Sequence, residues 1–170
     1  MSGLLWDMAG LEGLQVAKAV FGEAVGYLAP FQSLETVLAN EGCSVLRLCD
    51  RNFRIAYSGS LDQLIADQLT TPQPATTHPS LSKRNVWIRQ YSWLSAIPLP
   101  AQKFQALTAR ATIRAPHRLA GLPNHQAVPA QLDNIAMLIW RHAPLAQPAI
   151  EIHAARADIE ALIEKISHLS

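Results

Sequence analysis

Two short stretches most constrain how this chain folds, Asn85–Leu94 (NVWIRQYSWL) and Leu107–Ala115 (LTARATIRA). Both are apolar enough to be buried strands. Each sets an arginine among core-type residues, Arg89 next to Ile88 and Arg110 between Ala109 and Ala111. A guanidinium in a packed strand must find an anion or a set of carbonyls, because an isolated buried charge costs several kcal/mol. That anion is either a side chain or a bound ligand. A third arrangement stays open. In VWIRQ, Trp87 and Arg89 share one face and Ile88 and Gln90 the other, so alternation also allows the arginines to face solvent.

The 170 residues suit one domain with a sizeable core, and 49% apolar with 16% charged residues is a globular composition. The net charge is +1, with ten Arg and four Lys scattered and no basic run longer than Lys83-Arg84. No field of that size recruits nucleic acid or an anionic membrane. The N-terminal MSGLLWDMAGLEGLQVAKAVFG has no basic leader and is interrupted by Asp7 and Glu12, so neither a signal peptide nor a membrane span is expected. The expected compartment is cytoplasmic. Cys43 and Cys49, six apart on one strand, would share a face but lie too far apart to bridge, which reads as free thiols.

Residues 4–41 read as helical. Residues 4–21 form one broken or two short helices around Gly10 and Gly13, and 32–41 form a helix capped by Ser33 and closed by Gly42. Residues 44–58 read as a hairpin turning at Asp50-Arg51-Asn52, and Leu61–Leu69 as a helix. The Thr/Ser/Pro-rich segment 70–84 reads as a surface connection within one domain. The strand 85–94 bends at Pro98 and Pro100 and pairs antiparallel with a strand 103–114. Residues 134–142 and 148–154 suggest a second hairpin around Ala146-Gln147, although the first of them is equally readable as a helix. The tail 155–169 is an amphipathic helix, with Ile159, Leu162, Ile163 and Ile166 on one face. The sum is a single α+β domain over 1–170, an antiparallel sheet with helices at both ends.

The chain carries no phosphate-binding glycine loop, no dinucleotide fingerprint and no G-x-S-x-G. Its six histidines have no metal-ligand spacing, so neither cofactor nor metal is expected. What remains is an arginine in a half-covered sheet, which suits a clamp for a small carboxylate.

At these residues the chain resembles the chorismate lyases (chorismate–pyruvate lyases) of ubiquinone biosynthesis. NVWIRQYSWL resembles that family's W-[VLI]-R-E strand, and ARATIRA its next strand, A-R-T-V-I-P. Ser33-Leu34 with Gly42-Cys43-Ser44-Val45 resembles its G-S-M-T helix and first strand. Ile139-Trp140-Arg141 resembles a W-x-R-R strand, and Gln147-Pro148-Ala149-Ile150 the start of the last strand. The likeness runs over about residues 25–154. It implies a lyase that eliminates pyruvate from chorismate to give 4-hydroxybenzoate. Arg89 would bind the ring carboxylate, with Ser33 and Arg110 beside the substrate. His153 or Glu151 would act as the acid near the departing ether, at the place of the family's glutamate. The same likeness allows a second reading, a sensor or binding module for a small aromatic carboxylate without catalysis. The residues leave open which of the two holds, and they are silent on oligomeric state.

Overall fold

The computed structural model describes residues 4–70, 85–143 and 148–169. In chain order the elements are β1 (Leu4–Gly10), α1 (Gly13–Phe21), a 3-10 turn (Glu23–Tyr27), β2 (Ser33–Leu38), β3 (Glu41–Cys49), β4 (Asn52–Tyr57) and α2 (Leu61–Thr70). Then follow β5 (Val86–Gln90), β6 (Leu94–Pro98), α3 (Ala101–Arg110), β7 (Thr112–Ile113), β8 (Gln126–Leu132), β9 (Ile135–His142), β10 (Ala149–Ala155), a 3-10 turn (Arg156–Asp158) and α4 (Ile159–Ser167). The expected α+β class holds, with two antiparallel five-stranded sheets in the orders β2-β3-β4-β1-β5 and β6-β10-β9-β8-β7.

Three apolar clusters define the layers. Trp6, Met8, Phe53 and Ile55 of the first sheet pack on α1 and α2 through Val16, Ala17, Leu61 and Ile65. Val128, Ile139 and Ile152 of the second sheet pack on α3 and α4 through Leu107, Leu162 and Ile166. Between the sheets lies a smaller cluster, with Leu5, Leu46 and Tyr91 from one side and Ala127, Leu138 and Trp140 from the other. Helices therefore cover the outer faces, and the inner faces meet across a mixed polar and apolar layer.

Alternation explains which side chains enter that layer. In β1, Trp6 and Met8 point to the helices, while Leu5 and Asp7 point between the sheets. Both faces of β1 are buried, so its sequence lacks a polar face and imitates a helix. The helix expected at the start of 4–21 is therefore a strand up to Gly10, and only Gly13–Phe21 is helical. Gly10 (φ 144°) is obligatory where the chain crosses β5, since a Cβ there would sit 1.9 Å from the Asn85 carbonyl oxygen.

The helix expected over 32–41 is β2, with Thr36 and Val37 supplying β-branched residues. Ser33 opens a strand rather than capping a helix, and Gly42 lies inside β3. The turn after β2 places Ala39 (φ 47°) and Asn40 (φ 66°) in the left-handed region, a two-residue hairpin geometry. Asp133 (φ 45°) and Asn134 (φ 68°) make the same turn between β8 and β9.

The strand expected over 103–114 is α3 up to Arg110, followed by the two-residue β7. Ala, Gln, Lys, Leu and Arg are good helix formers, and Leu107 buries one face. Hence 85–94 does not pair with it. Instead β5 pairs with β1 and β6 with β10, so this stretch passes from one sheet to the other. The hairpin 44–58, the helix from Leu61, the β9–β10 pair and the C-terminal helix fall where expected. The expected connection 70–84 and the turn at Ala146-Gln147 lie outside the described residues, apart from Thr70 at the end of α2.

Both cysteines are free. They do not share an environment, because a bulge between Arg47 and Cys49 breaks the alternation of β3. Cys43 is buried and burial, aided by Glu35, pushes its thiol up to about 12, whereas Cys49 is exposed. Among the described residues no helix is long and apolar enough to cross a membrane.

Candidate functional site

The side chains with chemical potential meet between the sheets. On β10, Glu151 and His153 are two apart and face inward together, as alternation requires. On β9, Trp140 and His142 do the same. The first sheet contributes Ser33 and Glu35 from β2, Ser44 from β3, Arg54 from β4 and Asp7 from β1.

Glu151 Oε2 lies 3.4 Å from His153 Nε2 and 3.3 Å from His142 Nε2. Arg54 Nη1 stands 3.2 Å from His153 Nδ1. A guanidinium only donates, so His153 Nδ1 accepts and its Nε2–H donates to Glu151. This is the neutral imidazole. Burial, helped by Arg54 and opposed by Glu151, pulls His153 down to about 4. Glu151 is held as a carboxylate. Burial alone would raise it, but the imidazoles of His142 and His153 that face it together outweigh that and bring it to about 2.

The chain of contacts continues through His142. Its Nδ1 is 3.0 Å from Ser44 Oγ, and the Ser44 hydroxyl gives its one proton to Glu35 Oε2 in a short contact, so His142 Nδ1–H donates to Ser44. His142 Nε2, though close to Glu151, has no well-formed hydrogen bond. The Trp140 ring stacks on His142 (centroids 4.1 Å apart, planes 14° apart) and meets His153 edge-on at 5.6 Å. Its Nε1–H donates to Ser33 Oγ at 2.9 Å.

A second group lies at the β5 edge. Asp7 is opposite Arg54 on β4 and opposite Arg89 on β5. Arg89 Nε donates to Asp7 Oδ2 at 3.3 Å, and its guanidinium lies 4.8 Å over the Trp93 ring. Arg54 lies 5.1 Å over Tyr91. The anion for Arg89 is thus a side chain. Its own side chain is 56% exposed while that of Asp7 is 5% exposed.

The predicted site residues therefore separate. Glu151 and His153 come together as expected, with Ser33 in the same layer but bonded to Trp140. Arg89 belongs to the Asp7 pair. Arg110 is in no strand; it ends α3, on the far side of the second sheet, in an open cleft of about 500 Å³ with Asp133, Lys165 and His168. Three open clefts among the described residues are lined by none of Arg89, Glu151 and His153. No group of three His, Cys, Asp or Glu residues among the described ones is arranged to hold a metal ion. No sequence motif marks Asp7, Glu35, Ser44, Arg54 or His142 as site residues. Each sits at an inward alternation position beside a core residue, which is the signal that marks them.

No protein-family model and no curated protein matches the sequence. Solved structures do share the fold. Aminomethyltransferase T of the glycine cleavage system from Bartonella henselae aligns with a TM-score of 0.68 at 16% identity, over 97% of this chain and 43% of that one. A chain of the heterotetrameric sarcosine oxidase from Corynebacterium sp. U-96, solved in complex with pyrrole 2-carboxylate, aligns with a TM-score of 0.59 at 15% identity, over 98% of this chain and 80% of that one. The present chain thus spans less than half the length of the first neighbour. These likenesses correct the resemblance to chorismate lyase. The fold is that of the aminomethyltransferase and sarcosine oxidase chains, and the arginine expected to clamp a ring carboxylate is occupied by Asp7. Chorismate, 4-hydroxybenzoate and ubiquinone biosynthesis lose their support with it, and so does the sensor reading that rested on the same likeness.

Proposed function

We infer that this chain is a non-catalytic subunit of a heteromeric amine-oxidising assembly of the sarcosine oxidase kind. One observation carries the reading: the layer where the reactive side chains converge is closed by its own polar contacts and ring stacks. Glu151 faces two imidazoles, Ser44 bridges His142 to Glu35, and Trp140 covers His142. A reacting atom needs a place about 3 Å from an acid, base or nucleophile. Those places are held by protein side chains. The fold likeness supports an assembly role, because one neighbour is a chain of a heterotetramer and this chain covers 80% of it.

The higher TM-score to aminomethyltransferase T favours a second reading, in which this fold itself handles an aminomethyl group. One experiment separates them. The chain is tagged at its native locus, the associated proteins are purified, and sarcosine-dependent oxygen uptake is measured with the assembly and with the isolated chain. Uptake by the assembly and none by the isolated chain is the expected result. Turnover of sarcosine or of an aminomethyl donor by the isolated chain, or an untagged chain that sediments alone at native concentration, overturns the subunit reading.

A further inference from the structure

We propose that the outer edge of β5, which no described strand covers, pairs with the β5 edge of a second copy of this chain, joining two first sheets into one ten-stranded sheet. The edges of the two sheets differ in how they are protected. β7 is two residues long and is followed by Pro116; β6 ends at Pro98. β2 carries Glu35 at its centre. β5 has no proline, lysine or bulge, its one charge, Arg89, is countered by Asp7, and none of the described strands pairs with its outer side.

Backbone phase selects the register. Tyr91 N–H donates to the Leu5 carbonyl at 2.8 Å, so Leu5–Tyr91 is a hydrogen-bonded pair. Antiparallel pairs alternate, so Asp7–Arg89 and Ala9–Trp87 are hydrogen-bonded too. The N–H and C=O groups of Trp87 and Arg89 therefore point to β1, and those of Val86, Ile88 and Gln90 point outward. A two-fold axis at Ile88 brings Ile88 opposite Ile88 of the other copy and Val86 opposite Gln90. Every outward donor and acceptor of the five-residue strand is then used. A centre at any neighbouring residue either faces inward groups or shortens the overlap.

The side chains fit the same register. Trp87 becomes the non-hydrogen-bonded neighbour of Arg89 in the other copy, the closer of the two cross-strand spacings. Trp87 is 55% exposed and Arg89 carries Trp93 on one side of its guanidinium. The second tryptophan would close the other side, a cation held between two rings. No like charges stand directly opposite, since each arginine meets a tryptophan and is countered by its own Asp7.

The test uses the whole 170-residue chain. Sedimentation equilibrium at about 100 µM should give twice the 18.6 kDa chain mass. Trp87→Lys places a cation opposite Arg89 and should raise the dimer dissociation constant at least about tenfold while the circular dichroism spectrum is kept. Register is read by oxidative crosslinking in a Cys49→Ser background. Ile88→Cys lies on the axis at about 5.5 Å between Cα atoms and should crosslink, whereas Gln90→Cys, about 14–15 Å from its counterpart, should not. A monomer at that concentration, a dimer indifferent to Trp87→Lys, or crosslinking through Gln90→Cys in place of Ile88→Cys each overturns the proposal. A monomer that pairs only when a strand of a different protein is supplied overturns it as well.

Discussion

His153 should make the protein lose stability over a specific acid range. Its pKa is about 4 in the folded chain against 6.5 for an ordinary histidine, because it is buried beside Arg54. A base whose folded pKa is depressed contributes nothing to pH dependence while both states are neutral. Stability is therefore full above about pH 6.5. As the pH falls from there toward 4, the unfolded chain takes a proton that the folded chain refuses, and stability drops. Between about pH 7.5 and about pH 5 the linkage amounts to ~2 kcal/mol. Glu151 adds a separate fall at lower pH, since its depressed pKa of about 2 favours the fold above 4.5 and loses that advantage as the pH drops toward 2. The assay is urea denaturation at a series of pH values, comparing wild type with His153→Gln. Glutamine can accept from Arg54 and donate to Glu151 but does not titrate. The variant should be less stable at neutral pH and should lack the ~2 kcal/mol fall, other titrations cancelling in the difference. Equal slopes for the two proteins between about pH 7 and about pH 5 would refute a neutral, buried His153.

Three further outcomes follow from the packing. Trp140 is fully buried between the sheets, and Trp140→Ala should cost about 3–5 kcal/mol in denaturant unfolding. Arg89→Ala should cost at least about 1–3 kcal/mol, because it leaves the buried Asp7 carboxylate without its ion-pair partner; a smaller loss would show that the pair behaves as an exposed one. Ala39→Gly, at φ 47°, should raise stability by about 0.5–1 kcal/mol by relieving left-handed strain, read as a small increase in Tm.

What the sequence made legible follows from where each residue's partner lies. Hairpins with one polar turn and clear alternation, such as Val45–Tyr57, announce themselves because the pairing is local. The tail helix does so through its 3.6-residue stripe. β1 and β2 misled because strands buried on both faces, or mixed with Glu35, lose the period of two. α3 misled because TARATIR reads as β-rich while the helix-forming AQKFQALTAR around it decides the outcome. Glu151 and His153 were visible as a same-face pair, since two residues on one strand need no tertiary information. The partner of Arg89 was not visible. Asp7 lies 82 positions away, and only the pairing of β1 with β5 brings the two together. The same long-range pairing hides the Ser44–His142 contact, which joins the two sheets across 98 positions.

The central claim is that the inter-sheet polar layer holds the fold together and does not perform the reaction. Glu151→Gln in the purified assembly tests it most directly. Sarcosine-dependent oxygen uptake per intact assembly should equal that of the wild type, while the variant chain unfolds at lower urea concentration. Uptake lost from an assembly of unchanged mass, or a wild-type assembly with no sarcosine-dependent uptake, would contradict the account.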